Sequence, residues 1–336
     1  MNPEISIIIP CRNEEKHIGK VIEDLINNNS DQPIEILVID GMSTDGTRKI
    51  VQDYAEKYPD KVKLIDNPDK YVPHALNRGI KAARGNILIR MDAHAIYPPD
   101  YIKKLINYLE KTDAWNVGPS VEPTPAGNSP IQKAIAVAQK SLFGVGNSLW
   151  RRGVKKPTYA DTTPFFCIRK EIFDKVGFFN ERLIRNQDAE FNARIIKAGG
   201  RNLVVPDVRI KVISRNSWSK LAKQYFQYGY YRALSTKILK KAFSFRQFVP
   251  PLFFSVALFS LILSMWIKKA IYFTLILVLT YSLGSISFSI YESFKHRYFP
   301  LVFTLPPTYF IIHSAFAAGF VTGYIKFFML NKEKIK

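Results

Sequence analysis

The sequence predicts an α/β fold, a parallel sheet covered by helices, followed by a basic aromatic helix and C-terminal transmembrane helices. Three observations carry that prediction. Short apolar runs alternate with segments of helical spacing through the first half of the chain. A band of cations and aromatic rings follows. Beyond Val249, long apolar runs are broken only by short polar islands. These features divide the 336 residues into an α/β domain at 1–215, a linking helix at 216–248 and a membrane domain at 249–336.

Residues 5–9, 34–39, 62–65 and 86–91 are short, continuously apolar and bounded by polar punctuation, the pattern of strands buried on both faces. Between them, residues 14–28, 45–58 and 73–83 carry helical spacing. Such strands with crossover helices make a parallel sheet, whose ligands gather at the carboxyl ends of the strands. That rule selects residues 10–14, 40–45 and 92–94. Beyond Trp115 the pattern is mixed. Residues 129–142 read as an amphipathic helix, 163–168 as a strand, and 188–198 as a helix closed by Gly199 and Gly200. Residues 143–159, with their glycines and cations, read as a mobile loop over the site.

In residues 217–245, Lys220, Lys223, Arg232, Lys237, Lys240 and Lys241 interleave with Trp, Tyr and Phe. That composition suits a helix in the membrane interface, rings at headgroup depth and cations towards anionic lipid. Packing on the globular domain is the alternative. Residues 249–267, 270–291 and 308–330 each approach the roughly 20 apolar residues needed to cross hydrocarbon, so about three transmembrane segments are expected. Lys268 and Lys269 make a tight turn between the first two. Residues 299–307, with Pro306 and Pro307, read as an interfacial or re-entrant piece. His313, inside the third segment, either meets a lipid diphosphate or bonds another helix. Three crossings from a cytoplasmic start leave Lys332, Lys334 and Lys336 outside, against the positive-inside tendency.

A formal net charge of +20, from 48 Lys and Arg against 28 Asp and Glu, needs a partner. No nucleic-acid-binding motif accompanies it, and the cations crowd before the apolar segments, so the expected partner is an anionic membrane and not nucleic acid. Two cysteines, Cys11 and Cys167, provide no disulfide framework and suit a reducing compartment. The N-terminus lacks a basic stretch followed by a long apolar one, so no cleaved signal peptide is expected. The α/β domain is therefore expected at the cytoplasmic face of the membrane.

Asp92 and His94 follow the fourth strand, and two residues apart in an extended chain point the same way. One carboxylate and one imidazole suit a divalent ion, Mn2+ or Mg2+, which would bridge a diphosphate. Alone, they equally suit the capping of a turn. Asp40 ends the second strand, placed to accept from a base N–H or a ribose hydroxyl, whereas Asp45 suits a helix cap. Pro10, Cys11, Arg12, Asn13 and Glu14 close the first strand beside it. Asn77, Arg78, Lys81 and Arg84 share a short helix, either as a diphosphate clamp or as a solvated face.

Residues 10–14, 38–41 with 43–47, 77–85 and 89–94 resemble, in order and spacing, the successive signatures of the family-2 inverting glycosyltransferases, with Gln187 and Asp188 as a fifth. The resemblance implies a GT-A fold (a Rossmann-like mixed sheet with helices on both faces), a nucleotide-diphosphate-sugar donor, with a UDP-sugar expected, and a divalent cation. Carried over by position, it assigns Pro10, Arg12, Glu14 and Asp40 to the base and ribose; Asn13, Asn77, Arg78 and Lys81 complete the expected donor-binding set. Asp92 falls to the ribose or metal, and His94 stands where the second Asp of an Asp-x-Asp motif is usual. The Asp-Ala-His version is similar to that of succinoglycan-type exopolysaccharide glucosyltransferases.

An inverting transfer needs a carboxylate to take the acceptor hydroxyl proton. Asp188 holds the position of the family's Glu-Asp signature, with Gln187 replacing Glu, and is the expected base. Arg185, Glu190, Asp161 and Thr163 are the acceptor-side candidates. The expected reaction extends a membrane-embedded, lipid-linked saccharide in polysaccharide biosynthesis. A polyprenyl-phosphate acceptor is the runner-up, and a non-catalytic nucleotide-sugar-binding subunit the reading from another class. A processive polymerase is disfavoured because residues 224–228 lack the Arg and Trp of its Gln-x-x-Arg-Trp motif. Oligomeric state is not legible.

Overall fold

The computed structural model describes residues 3–29, 32–240 and 247–331. Lys241, Lys332, Lys334 and Lys336 of the expected basic clusters lie outside the described residues.

The chain begins with strand β1 (Ile5–Cys11), helix α1 (Ile18–Asn28), β2 (Ile34–Asp40), α2 (Thr47–Lys57), β3 (Val62–Asp66), α3 (Val72–Ala82) and β4 (Ile87–Arg90). All four strands pair in parallel, in the order β3-β2-β1-β4, with Cys11 level with Asp40 and Asp40 level with Asp66. Ile7, Ile8, Ile9, Leu37, Val38 and Ile39 are fully buried, as strands covered on both faces require. Each such side chain contributes about 1.5–3 kcal/mol of burial. Helix α3 lies very close to this sheet. A Cβ at Gly79 would meet Ile8 at 2.5 Å and Ile39 at 3.3 Å, so only glycine permits the approach.

The second half alternates differently: β5 (Ala95–Ile96), α4 (Tyr101–Lys111), β6 (Asn116–Thr124), α5 (Pro130–Ala138), α6 (Leu142–Val145), α7 (Leu149–Arg152), β7 (Thr158–Ala160), β8 (Cys167–Arg169), α8 (Ile172–Val176), α9 (Gln187–Lys197) and β9 (Asn202–Ile213). Strand β8 pairs antiparallel with β4 and β6, and β9 antiparallel with β5 and β7. The nine-stranded sheet is therefore mixed, in the order β3-β2-β1-β4-β8-β6-β9-β5 with β7 on β9. Residues 143–159, expected as a loop, instead carry helical turns and the short strand β7.

Two compact units result, and neither is continuous in sequence. One comprises Met1–Val121 and Gly153–Val212, the other Glu122–Arg152 and Ile213–Lys336. Residues 122–152, which the sequence reading placed in the α/β domain, thus group with the C-terminal helices.

Those helices are α10 (Trp218–Leu239), α11 (Val249–Leu263), α12 (Ala270–His296) and α13 (Leu301–Tyr324), the last continuing as a π-helical turn, Ile325–Met329. By length and composition, Ala270–His296 and Leu301–Met329 are able to cross a membrane, while α11 is shorter than the expected 249–267. Pro306 and Pro307 lie inside α13, so residues 299–307 are not a separate re-entrant piece. Helix α10 packs along α13: Trp218 Nε1 donates to Thr308 Oγ1 at 2.9 Å, and Lys237 Nζ to the Phe327 carbonyl at 2.5 Å. His313 bonds the Tyr281 hydroxyl at 2.9 Å and the Phe143 carbonyl at 3.0 Å, joining α6, α12 and α13.

Candidate active site

At the carboxyl edge of the parallel strands, two loops interlock. Asn13, in the left-handed region at φ 55°, donates its N–H to Ser43 Oγ at 2.8 Å and accepts from the Thr44 N–H at 2.9 Å. The Glu14 N–H goes to Thr47 Oγ1 at 2.8 Å, and Glu15 Oε2 accepts from the Gly46 N–H at 2.9 Å. Asp45 accepts from the Thr47 N–H at 3.1 Å and its hydroxyl at 2.6 Å, while Gly46 holds the N-cap position of α2. Arg12 is exposed and lies against the Gly41 backbone, and Pro10 is half-buried.

Asp40 departs from its expected role. Its carboxylate is fully buried, accepting from the Ser43 N–H at 3.0 Å, the Ser43 hydroxyl and Arg48 Nη1 at 2.7 Å. It organises the loop and offers no surface to a base or ribose.

Asp92-Ala93-His94 forms a turn and not an extended strand, with the Ala95 N–H returning to the Asp92 carbonyl at 3.3 Å. Both flanking side chains still reach solvent while Ala93 is buried: Asp92 is 20% and His94 49% exposed. His94 Nδ1 lies 2.9 Å from Glu14 Oε1, which joins the first and fourth strand ends.

The residue that sequence reasoning missed is Arg90, the last of β4. Its side chain is 8% exposed. Nε and Nη2 donate to the two Asp92 oxygens at 3.0 and 3.4 Å, and Nη1 donates to Asp188 Oδ1 at 2.7 Å. Its guanidinium lies over the Phe165 ring, 5.3 Å from the centroid. One cation thus gathers the fourth signature and the fifth. The signal was present in the sequence: a lone charge in an apolar strand, two residues before Asp92 and so on the same face.

Asp188 occupies the first turn of α9, after Asn186 in the left-handed region at φ 63°. Its side chain is 27% exposed. Loss of solvent raises its pKa above the ordinary carboxylate value, the Asp92 charge adds to the rise, and Arg90 offsets part of it. Arg90 stays firmly charged, because Asp188 and Asp92 outweigh the cost of burying it.

Other expected residues are engaged elsewhere. Asn77 is buried and bonds the backbone of Phe179 in both directions, at 2.9 Å each, and Glu181 at 2.8 Å. Arg78 pairs with Asp69 at 2.8 Å, and Lys81 sits over the Phe178 ring. Arg84 is held at the amino edge of the sheet by buried Glu35, through its N–H at 2.6 Å and Nε at 2.8 Å. Burial works to raise the Glu35 pKa, but hydrogen bonds from Ser6 and Arg84 win and hold it below the ordinary value. These four residues therefore form no common clamp. Thr163 is fully buried, and Glu190, also buried, binds Arg194 at 2.8 and 3.0 Å. Asp161 and Arg185 are half-buried.

Among the described residues no group of three or more His, Cys, Asp or Glu has metal-holding geometry. The available donors are Asp92 and the Glu14–His94 pair. That set fits a cation held by one or two side chains and completed by phosphate oxygens and water.

Residues 6–177 match the family described as glycosyl transferase family 2. The chain is 36% identical over 229 residues to the succinoglycan biosynthesis protein ExoA of Rhizobium meliloti, covering 68% of each chain. It is 29% identical over 335 residues to the dolichyl N-acetyl-alpha-D-glucosaminyl phosphate 3-beta-D-2,3-diacetamido-2,3-dideoxy-beta-D-glucuronosyltransferase of Methanococcus voltae, covering 96% of this chain and 97% of that one. The mannosyltransferase PcManGT of Pyrobaculum calidifontis, solved with GDP-Man and Mn2+, superposes with a TM-score of 0.58 at 18% identity, over 96% of this chain and 87% of that one. That likeness establishes the shared GT-A fold. With a mixed sheet of this order and a family match across most of it, the chain belongs to glycosyl transferase family 2 and is a glycosyltransferase.

Proposed function

We propose that this enzyme is an inverting transferase that moves a sugar from a nucleotide-diphosphate donor, a UDP-sugar, onto a lipid-linked saccharide held in the cytoplasmic membrane. The observation that carries this reading is the Arg90 bridge, which reaches Asp188, 98 positions further along the sequence, and so gathers Asp188 and Asp92 in one cluster.

Asp188 is the base. It accepts the acceptor hydroxyl proton as that oxygen forms a bond to the anomeric carbon, opposite the diphosphate. The bond from that carbon to the diphosphate oxygen breaks, and its electron pair leaves with the diphosphate. A carboxylate whose pKa is raised by burial is a better proton acceptor than a solvated one. The loop of exposed Arg12 and Asn13 and half-buried Glu14 faces the nucleotide, shaped from behind by Asp40. Asp92, with the Glu14–His94 pair, would hold a divalent cation, which when bound neutralises charge on the departing diphosphate. Asp161 and Arg185 serve the acceptor side.

A division of labour follows, with the unit of Met1–Val121 and Gly153–Val212 carrying the chemistry and the helices from Trp218 onward keeping the chain at lipid. The two relatives support this reading by name, one through polysaccharide biosynthesis and the other through a dolichyl-phosphate-linked sugar.

The test is a panel of UDP-, GDP- and dTDP-sugars with the detergent-purified protein. Each donor is offered a polyprenyl-diphosphate-linked sugar or bare polyprenyl phosphate. Extension of the linked sugar with inversion is the expected result. Product only from bare polyprenyl phosphate would move the assignment to the runner-up acceptor. Asp188→Asn should abolish transfer while UDP binding persists, and retained turnover removes Asp188 from the base role.

A further inference from the structure

Arg90 lies inside the 89–94 signature without an assigned role there, yet its buried guanidinium binds two carboxylates at once. A buried guanidinium is costly unless its donors find partners. Here Nε and Nη2 grip Asp92, while Nη1 reaches Asp188. The backbone is pinned on both sides, with the Arg90 N–H donating to the Phe166 carbonyl at 2.9 Å and the next N–H, of Met91, to Ile8 at 3.0 Å. Across the guanidinium face lies Phe165, a bulky residue held in the left-handed region at φ 59°. Such a conformation is unfavourable for phenylalanine and persists only where its surroundings over-determine it. A pinned backbone, three donors spent on two carboxylates and a ring over the cation all fix where the guanidinium sits.

We propose that Arg90 is a positioning residue for sugar transfer, setting the place of the Asp188 carboxylate relative to the Asp92 end of the donor site. The proposal rests on the base role of Asp188. A fork with several donors in one plane reaches two carboxylates at once, whereas the point charge of a lysine ammonium does not. The two carboxylates would also repel each other without a cation between them, and Asp188 would move. Asp92 has an independent restraint, its N–H donating to the Tyr97 hydroxyl at 2.6 Å. Loss of Arg90 should therefore fall on the transfer step more than on donor binding.

The experiment uses the full-length protein in detergent, with the donor that turns over fastest in the panel and with UDP plus Mn2+ as the binding probe. Arg90→Lys should lower kcat about 100-fold, the scale of a misplacement near 1 Å. Its UDP affinity should stay within about threefold of the unsubstituted protein, and its melting temperature close to it. In Arg90→Ala, free guanidinium ion should restore part of kcat, and methylammonium should not. Unchanged kcat in Arg90→Lys overturns the proposal. So does a loss of kcat matched by equal losses of UDP binding and melting temperature, with no guanidinium rescue, since that is the behaviour of a purely structural ion pair. Asp188→Asn separates the two levels. If it turns over normally, the base reading fails whatever Arg90 does; if it is inactive while Arg90→Lys is normal, only the Arg90 proposal fails.

Discussion

Asn77→Ala distinguishes a donor contact from a packing role. The side chain is buried on α3, and its amide bonds Phe179 as a neighbouring strand would, giving a hydrogen bond to the carbonyl and taking one from the N–H. Phe179 belongs to an aromatic core with Phe166, Phe173 and Phe191, with ring centroids between 4.5 and 6.3 Å from its own. Removing the amide leaves two buried backbone groups without partners, each worth about 1–3 kcal/mol. The third partner, Glu181, has a side chain 48% exposed and turns to water at little cost. A total of about 2–6 kcal/mol follows. In a unit of about 180 residues, that lowers the melting temperature by roughly 4–24 °C. Circular dichroism melting of the detergent-purified protein reads the loss, and a UDP titration below the melting range should give normal affinity. An unchanged melting temperature with a tenfold weaker UDP titration would refute the reasoning and return Asn77 to the donor site.

The pH profile has a definite sign. The proposed base must be deprotonated and the Asp188 pKa is raised, so kcat/KM should be lost as pH falls through a midpoint above the ordinary aspartate value of about 4. An acid limb at or below that value contradicts the burial argument. His94→Ala should weaken Mn2+-dependent UDP binding, and an unchanged metal titration would show that His94 is not a ligand. Gly319→Leu should lower the melting temperature of the helical unit, because a Cβ there would lie 2.0 Å from the Phe226 carbonyl oxygen on α10. Normal melting would mean that α10 and α13 do not approach so closely.

How much of the fold was legible depended on what surrounds each strand. Strands β1 to β4 are buried on both faces and so are continuously apolar, which makes them plain in sequence. Strand β8 has only three residues, and its place between β4 and β6 is a long-range fact with no local pattern. The first helix was expected from Glu14 but begins at Ile18, after Asn13 in the left-handed region and a loop tied to Ser43 and Thr47. Pro306 and Pro307 suggested a break in what is one helix. Neighbouring helices allow such prolines, and Thr304 and Thr308 bond carbonyls one turn back at 2.9 and 2.6 Å. Residues 143–159 looked loop-like from their glycines and cations. Yet Phe143 is enclosed by Tyr281, Phe288, Tyr309 and His313, all far away in sequence.

Within the site, spacing succeeded or failed according to the element carrying it. Arg90 and Asp92 are two apart at the end of a strand, and both turn to the same side, where one grips the other. Asp188 and Glu190 are also two apart, but on a helix, where each residue turns about 100° and two steps reach nearly the opposite face. Asp188 accordingly meets Arg90, while Glu190 is buried against Arg194, whose guanidinium also holds the carbonyls of Val176, Gly177 and Phe178. The same geometry explains why, of the two carboxylates in that signature, it is Asp188 in the first turn of α9 that faces the strand end.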